Sequence, residues 1–269
     1  MSEGSASEVN DVGNHPAQPS RPGITAIDLS PVIANLRLHA PLSAADRSAI
    51  ETFLGESALR VRAGSELIPA GEPGMGFALV DGWVAHEMLL DDGRMQLTAL
   101  FVPGDTFDLN ADLIDECEYS LRAITDSIVA KISTLQLRRL TDRHPHLRDA
   151  FAWERLQQLS NNRELLLSLG RRSGAERIAH LFCEVFCRLQ HVRRTRGNEC
   201  DLPLTHGQLA DLTGMTSVHV HRSLTLLRSQ GLIEWRHGRL KIRDFERLSA
   251  FARFDPTYLH AGTNPSGAS

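Results

Sequence analysis

No stretch of this 269-residue chain approaches the ~20 consecutive apolar residues that a membrane span requires. The N-terminus also lacks the charged-then-apolar pattern of a secretion signal, and Ser2 rather than Gly follows Met1, so no lipid-anchor motif is present. These absences point to the cytoplasm. Cysteine is scarce: the four residues at 117, 183, 187 and 200 make no disulfide framework and fit a reducing compartment. No nucleophile–base pair or metal triad is visible, so the chain is not expected to be an enzyme. What remains is an ordinary soluble composition, 42% hydrophobic and 23% charged, with room for two domains.

The net charge of −4 is unevenly divided. Between Gly170 and Arg243, 13 Lys/Arg face 6 Asp/Glu, whereas the remainder holds 16 against 27. A basic C-terminal third on an acidic body is the asymmetry expected when one domain faces phosphates. Arg171, Arg172, Arg193, Arg194 and Arg196 add to it.

Within that basic third, Thr205-His206-Gly207-Gln208 reads as a capping box that starts a helix at Thr205. Leu209, Ala210 and Leu212 give the helix its apolar face, and Gly214 ends it in a left-handed cap. Thr216 then caps a second helix with Val220, Leu224 and Leu227 inward. Leu232–Trp235 and Leu240–Ile242 read as short strands around the turn Arg236-His237-Gly238-Arg239. The spacing predicts a winged helix-turn-helix, whose usual work is reading double-stranded DNA.

The run from Leu204 to Ile233 resembles the Crp/Fnr superfamily of bacterial transcription regulators. It carries the pattern LT-x-x-x-LA-x-x-x-G-x-[ST]-x-x-x-V-x-R-x-L-x-x-L-x-x-x-GLI, including Arg222 and the Gly-Leu-Ile before the wing. The resemblance implies a second helix lying in the major groove. Thr216 and His219 would meet phosphates, while Ser217, Val218, His221 and Arg222 would face bases, with Thr205 of the first helix and Arg236 and Arg239 of the wing as further DNA-binding residues. Arg222 matches the family's arginine and would bind guanine O6/N7. Two departures stand out: Val218 occupies a position where many members carry glutamate, and His221 replaces the small residue before the arginine. A palindromic site is expected that keeps the guanine and differs at the neighbouring pair.

From Ala58 to Ile132 the texture is short alternating runs broken at Asp81-Gly82, Asp92-Gly93 and Pro103-Gly104, an antiparallel β-roll or barrel. It resembles the family's cyclic-nucleotide-binding-type roll, a jelly-roll-like double-stranded β-helix. In nucleotide-binding members an arginine pairs with the cyclic phosphate. Here the matching segment, 104–120, has no Arg or Lys and carries Asp108, Asp112, Asp115, Glu116 and Glu118 instead. A phosphodiester would meet carboxylates with no charge-assisted donor, so cyclic AMP and cyclic GMP are not expected. The oxygen-sensing members' iron–sulfur cluster is also excluded, because no cysteine precedes Cys117. A haem remains open, since His86 or His180 could ligate iron, but a lone histidine carries little weight and no cofactor is expected.

The fold class is therefore α+β, in five parts. Residues 1–24 form a disordered tail, 25–144 the roll with flanking helices (Ser43 capping one), 145–170 a long dimerisation helix with the hinge, 171–254 the winged helix-turn-helix, and 255–269 a loose tail. The resemblance makes the long helix the homodimer seam, with Ala152, Leu156, Leu159, Leu166 and Leu169 as its apolar positions. RNA polymerase is the implied protein partner, and no membrane is. On the helix after the hinge, His180, Cys183, Cys187 and His191 share one face at steps of three, four and four. Cys183 and Cys187 are thus redox candidates, although small buried hydrophobes are the better reading. Residues 192–202 read as a polar loop. A sensor gated by a small molecule, haem or thiol is the alternative, and a winged-helix protein adaptor a further one.

Overall fold

The computed structural model describes residues 27–260. The tail of residues 1–24 lies outside them, as do residues 261–269.

The chain opens with helices α1 (Ser30–Leu36) and α2 (Ala44–Ser57). Ser43 caps α2 in a reciprocal box with Asp46. The same Asp46 carboxylate also meets His144 Nδ1 at 2.8 Å and His146 Nδ1 at 3.1 Å. Burial alone would raise its pKa, but the Ser43 hydrogen bonds and the two imidazoles hold it well below the usual carboxylate range. One buried acid thus both starts α2 and ties it to the chain entering the long helix.

Eight strands follow: β1 (Ala58–Val61), β2 (Glu66–Ile68), β3 (Gly76–Asp81), β4 (Val84–Leu89), β5 (Met95–Phe101), β6 (Thr106–Phe107), β7 (Ser120–Ala123) and β8 (Ser127–Ile132). They pair antiparallel in two four-stranded sheets, ordered β1-β8-β3-β6 and β2-β7-β4-β5. Gly82 and Gly93 take φ of 88° and 85°, the left-handed values that their Asp-Gly turns demand. Of these eight, the two-residue β6 is the one that alternation did not signal. The roll interior is filled by a stack of Phe77, Phe107 and Phe101, the last two with ring centroids 3.9 Å apart. His86 lies against Tyr119 and is held by Asp108 at 2.9 Å.

Helix α3 (Thr134–Arg143) leads to α4 (Pro145–Arg171), a 27-residue helix with proline in its first turn. Then come α5 (Gly174–His191), β9 (Thr195–Arg196), β10 (Glu199–Asp201), α6 (His206–Thr213), α7 (Ser217–Ser229), β11 (Ile233–Arg236), β12 (Arg239–Ile242) and α8 (Phe245–Ala252). Two expectations are corrected here. Residues 192–202 are not simply a polar loop: β9 and β10 form a hairpin through Gly197 that extends the wing into the sheet β11-β12-β10-β9. Its buried Cys200 pairs with Leu240, and Asn198 Nδ2 donates to the Ile242 carbonyl. Residues 255–260, expected in a loose tail, fold back on the body instead. Leu259 is buried, Tyr258 Oη donates to Glu184 at 2.8 Å, and the Tyr258 carbonyl accepts from Gln157 Nε2.

A single apolar core crosses from roll to C-terminal domain. Trp83, Ala85, Leu97 and Leu100 of the roll pack in one cluster with Ile178, Phe182, Leu209 and Leu224. At its edge Arg188 of α5 pairs with Asp105 of the β5–β6 turn and with Glu184, and donates to the Leu100 carbonyl.

Candidate nucleic-acid interface

The two helices of the motif are placed by short-range chemistry. Thr205 Oγ1 accepts from the Gln208 amide at 3.1 Å while Gln208 Oε1 accepts from the Thr205 amide at 2.9 Å. Gly214 closes α6 at φ 61°, ψ 40°. Thr216 caps α7 by accepting from the His219 amide. Val220, Leu224 and Leu227 are fully buried beneath α7, and Ala210 is buried on α6. Thr216→Ala is expected to cost about 1 kcal/mol through the lost cap, read as a drop in urea midpoint at unchanged m-value. An unchanged midpoint would mean that packing alone holds α7.

The buried face fixes what points outward. At about 100° per residue, Arg222 stands almost opposite the Val220–Leu224–Leu227 face, with Val218 beside it. Ser217, Val218, His219, His221 and Arg222 are all solvent-exposed, Val218 at 61% despite its apolar side chain. An apolar residue left in water on this outward face is one that contact with a thymine methyl would cover. Arg222 and Arg236 make no ion pair among the described residues, so their guanidinium groups stand free. Arg239 faces Asp201 at 3.5 Å in the open. His237 and Gly238 take φ of 51° and 71° as the central residues of the expected turn, with Arg236 and Arg239 paired on either side of it.

Two arginines that sequence reasoning passed over hold this frame. Arg177 donates to the Leu169, Arg172 and Thr213 carbonyls at 2.7–3.0 Å, placing one cation at the C-terminal ends of both α4 and α6. Arg228 donates to the Trp235 carbonyl, fixing α7 to the wing. Arg172 reaches Glu164 and the Ala252 carbonyl, so the hinge is braced from both sides. No spacing rule reveals the Arg177 and Arg228 contacts, because each partner is a backbone carbonyl.

The other candidates fall elsewhere. On α4, Ala152, Leu156, Leu159 and Leu166 are exposed along one stripe. Leu169 leaves it: it lies about 100° round the helix from Ala152 and packs against the Gly214 turn. Cys183 and Cys187 are buried in the α5 core; burial pushes the Cys187 thiol up to about 12 and the Cys183 thiol higher still. Burial, with Arg172 nearby, pushes His180 down to about 3. Among the described residues no group of His, Cys, Asp or Glu is arranged to hold a metal ion. In the roll, Arg122 is fully engaged by Glu87, Glu66 and the Gly64 carbonyl. Asp108 is held by His86 and Asp112 by the Thr134 amide and hydroxyl.

A β-roll joined through a long helix to a winged helix-turn-helix defines a class: one-chain regulators that couple a sensor-type module to a DNA reader. Comparison with known proteins agrees. The Crp-like helix-turn-helix domain model matches residues 176–251 and the cyclic nucleotide-binding domain model residues 58–144. The transcriptional activator FnrL of Cereibacter sphaeroides is 28% identical over 70% of this chain and 77% of its own length. The nitrogen fixation regulation protein FixK of Bradyrhizobium diazoefficiens is 28% identical over 65% and 73%. The solved structure of FixK2 from Bradyrhizobium japonicum superposes with a TM-score of 0.60 at 24% identity, covering 72% of this chain and 96% of that one. The chain belongs to the Crp/Fnr superfamily of transcription regulators.

Proposed function

We propose that this protein is a cytoplasmic, homodimeric regulator, not an enzyme, that reads a palindromic promoter site without cyclic nucleotide or iron–sulfur cluster. RNA polymerase is its protein partner. The observation that carries the reading is the exposed N-terminal face of α7, where Ser217, Val218, His221 and an unpaired Arg222 stand over a fully buried back. Thr205, Thr216 and His219 flank it toward phosphates, and Arg236 and Arg239 extend it from the wing. One winged helix reads few base pairs, which favours a two-fold pair of readers. The apolar stripe of α4 offers the seam. No helix among the described residues is long and apolar enough to cross a membrane.

Ligand-free action is supported by the roll itself. Aromatic rings occupy its interior, and Arg122 of β7 is spent on two glutamates. A thiol switch at Cys183 or Cys187 would need a thiolate, which burial disfavours.

The test is selection of bound sequences from random duplex DNA by the purified protein, with no effector added. A palindromic motif is expected, and Arg222→Ala should blur it at one guanine per half-site, a loss of about 1–3 kcal/mol in discrimination. A motif left sharp by Arg222→Ala would overturn the assigned role of that residue. No motif without an additive would favour an effector-gated regulator.

A further inference from the structure

The arginines just before and within β9 are not used by the helix-turn-helix, and they do not scatter. Arg193, Arg194 and Arg196 meet Arg37 and Arg47 of the N-terminal helices along one open groove of about 790 Å³. Its acids are few and engaged: Asp28 accepts from the Ser30 amide at 3.0 Å, and Asp201 faces Arg239 of the wing. Arg47 pairs with Glu51 and Arg194 with Asp81, whereas Arg37, Arg193 and Arg196 have no ion-pair partner among the described residues. Arg193 also holds φ 59°, just past the end of α5, in the left-handed conformation that glycine ordinarily takes there.

We propose that this groove is a second phosphate-binding surface, occupied by the DNA backbone beyond the half-site that α7 reads. The inference rests on the DNA-reading function proposed above. Three features select a nucleic-acid backbone as the occupant. First, the groove continues from the wing. Arg239 lies opposite Asp201 and Arg196 opposite Glu199 in one sheet, and two strand spacings, roughly 10 Å, separate the wing strand from β9. Second, every cation in the groove is arginine, whose planar fork suits phosphate oxygens. Third, no large exposed apolar side chain lines it, so it lacks the anchor that a protein partner's hot spot would need. The surface adds affinity and not sequence information.

The experiment compares two duplexes carrying the selected site, one trimmed to the half-site edges and one extended by a helical turn, about 10 bp, on each side. Affinity of the full chain is measured over a salt series. The extended duplex is expected to bind more tightly, with a log–log salt slope steeper by about 3 units per protomer. The exposed triple variant Arg37→Ala/Arg193→Ala/Arg196→Ala should bind both duplexes alike and keep the wild-type affinity for the trimmed one. Arg222→Ala should lose specificity on both yet keep the dependence on flanks, separating the two surfaces. Equal affinity and slope for both duplexes in the wild type would overturn the proposal. So would a triple variant that weakens the trimmed duplex as much as the extended one. Competition by polyglutamate without any flank effect would reassign the groove to an acidic protein partner, and absence of specific binding to either duplex would remove the reading on which it rests.

Discussion

Arg188→Met is expected to lower the unfolding free energy by about 3–5 kcal/mol at pH 8, and to lose much of that penalty at pH 5. Arg188 and Asp105 are only 12% and 16% exposed, and they join α5 to the roll. Methionine keeps the stem's packing but removes the cation, leaving Asp105 with only the Val102 amide and Glu184 with only the Tyr258 hydroxyl in a site that water barely reaches. Burial already pushes Asp105 up to about 6, with Arg188 pulling the other way. Without Arg188 the folded-state pKa rises further. An acid whose folded pKa lies above its unfolded value, near 3.8, takes up a proton on folding. The stability from that uptake is fully present below the unfolded pKa and is lost as pH rises through the folded one. Below about 6 the wild-type pair is itself largely neutralised at Asp105, so little remains for the substitution to remove. Asp105→Asn should accordingly flatten the pH dependence of the wild type. Urea unfolding at the two pH values decides the matter: equal penalties for Arg188→Met at pH 5 and pH 8 would mean that the pair does not link the domains electrostatically.

The sequence reading succeeded where the determining chemistry is local. The Thr205–Gln208 box, the left-handed Gly214 and the Asp-Gly turns are each set within a few residues, and all are read correctly from spacing. Which residues of α7 face outward follows from the same logic, because a buried Val220–Leu224–Leu227 back dictates it. What stayed hidden is non-local. Arg122 belongs to Glu66 and Glu87, 56 and 35 positions away, so nothing near it in the chain tells which way it turns. Arg188 and Asp105 lie 83 positions apart. The β9–β10 hairpin escaped because its strands are short and polar, with Thr195, Arg196, Glu199 and Asp201 leaving Cys200 as their one buried residue. The segment 255–260 looked loose because its ordering comes from Glu184 and Gln157 on other helices. Leu169 was assigned to the seam by counting steps of three and four, which tolerates a drift that the true helical period does not.

That drift sharpens the second large effect. Leu159→Glu or Leu166→Glu is expected to convert the protein to a monomer and to cost on the order of 2–5 kcal/mol in specific DNA affinity, about half of what separates specific from non-specific binding. Leu159 and Leu166 are 50% and 71% exposed, so neither substitution opens a cavity, and glutamate is a good helix former. Across a two-fold axis the same position meets itself, so each carboxylate would face its own copy in an apolar seam, where like charges repel and desolvation is costly. Leu169→Glu is the discriminating control. Lying off the stripe and against the Gly214 turn, it should disturb the helix-turn-helix and leave the oligomeric state alone. Light scattering and DNA titration on the same samples separate the cases. A Leu166→Glu protein that stays dimeric would remove α4 as the seam. A monomer that still binds the full palindrome at wild-type affinity would mean that the two readers are joined by the DNA and not by the protein.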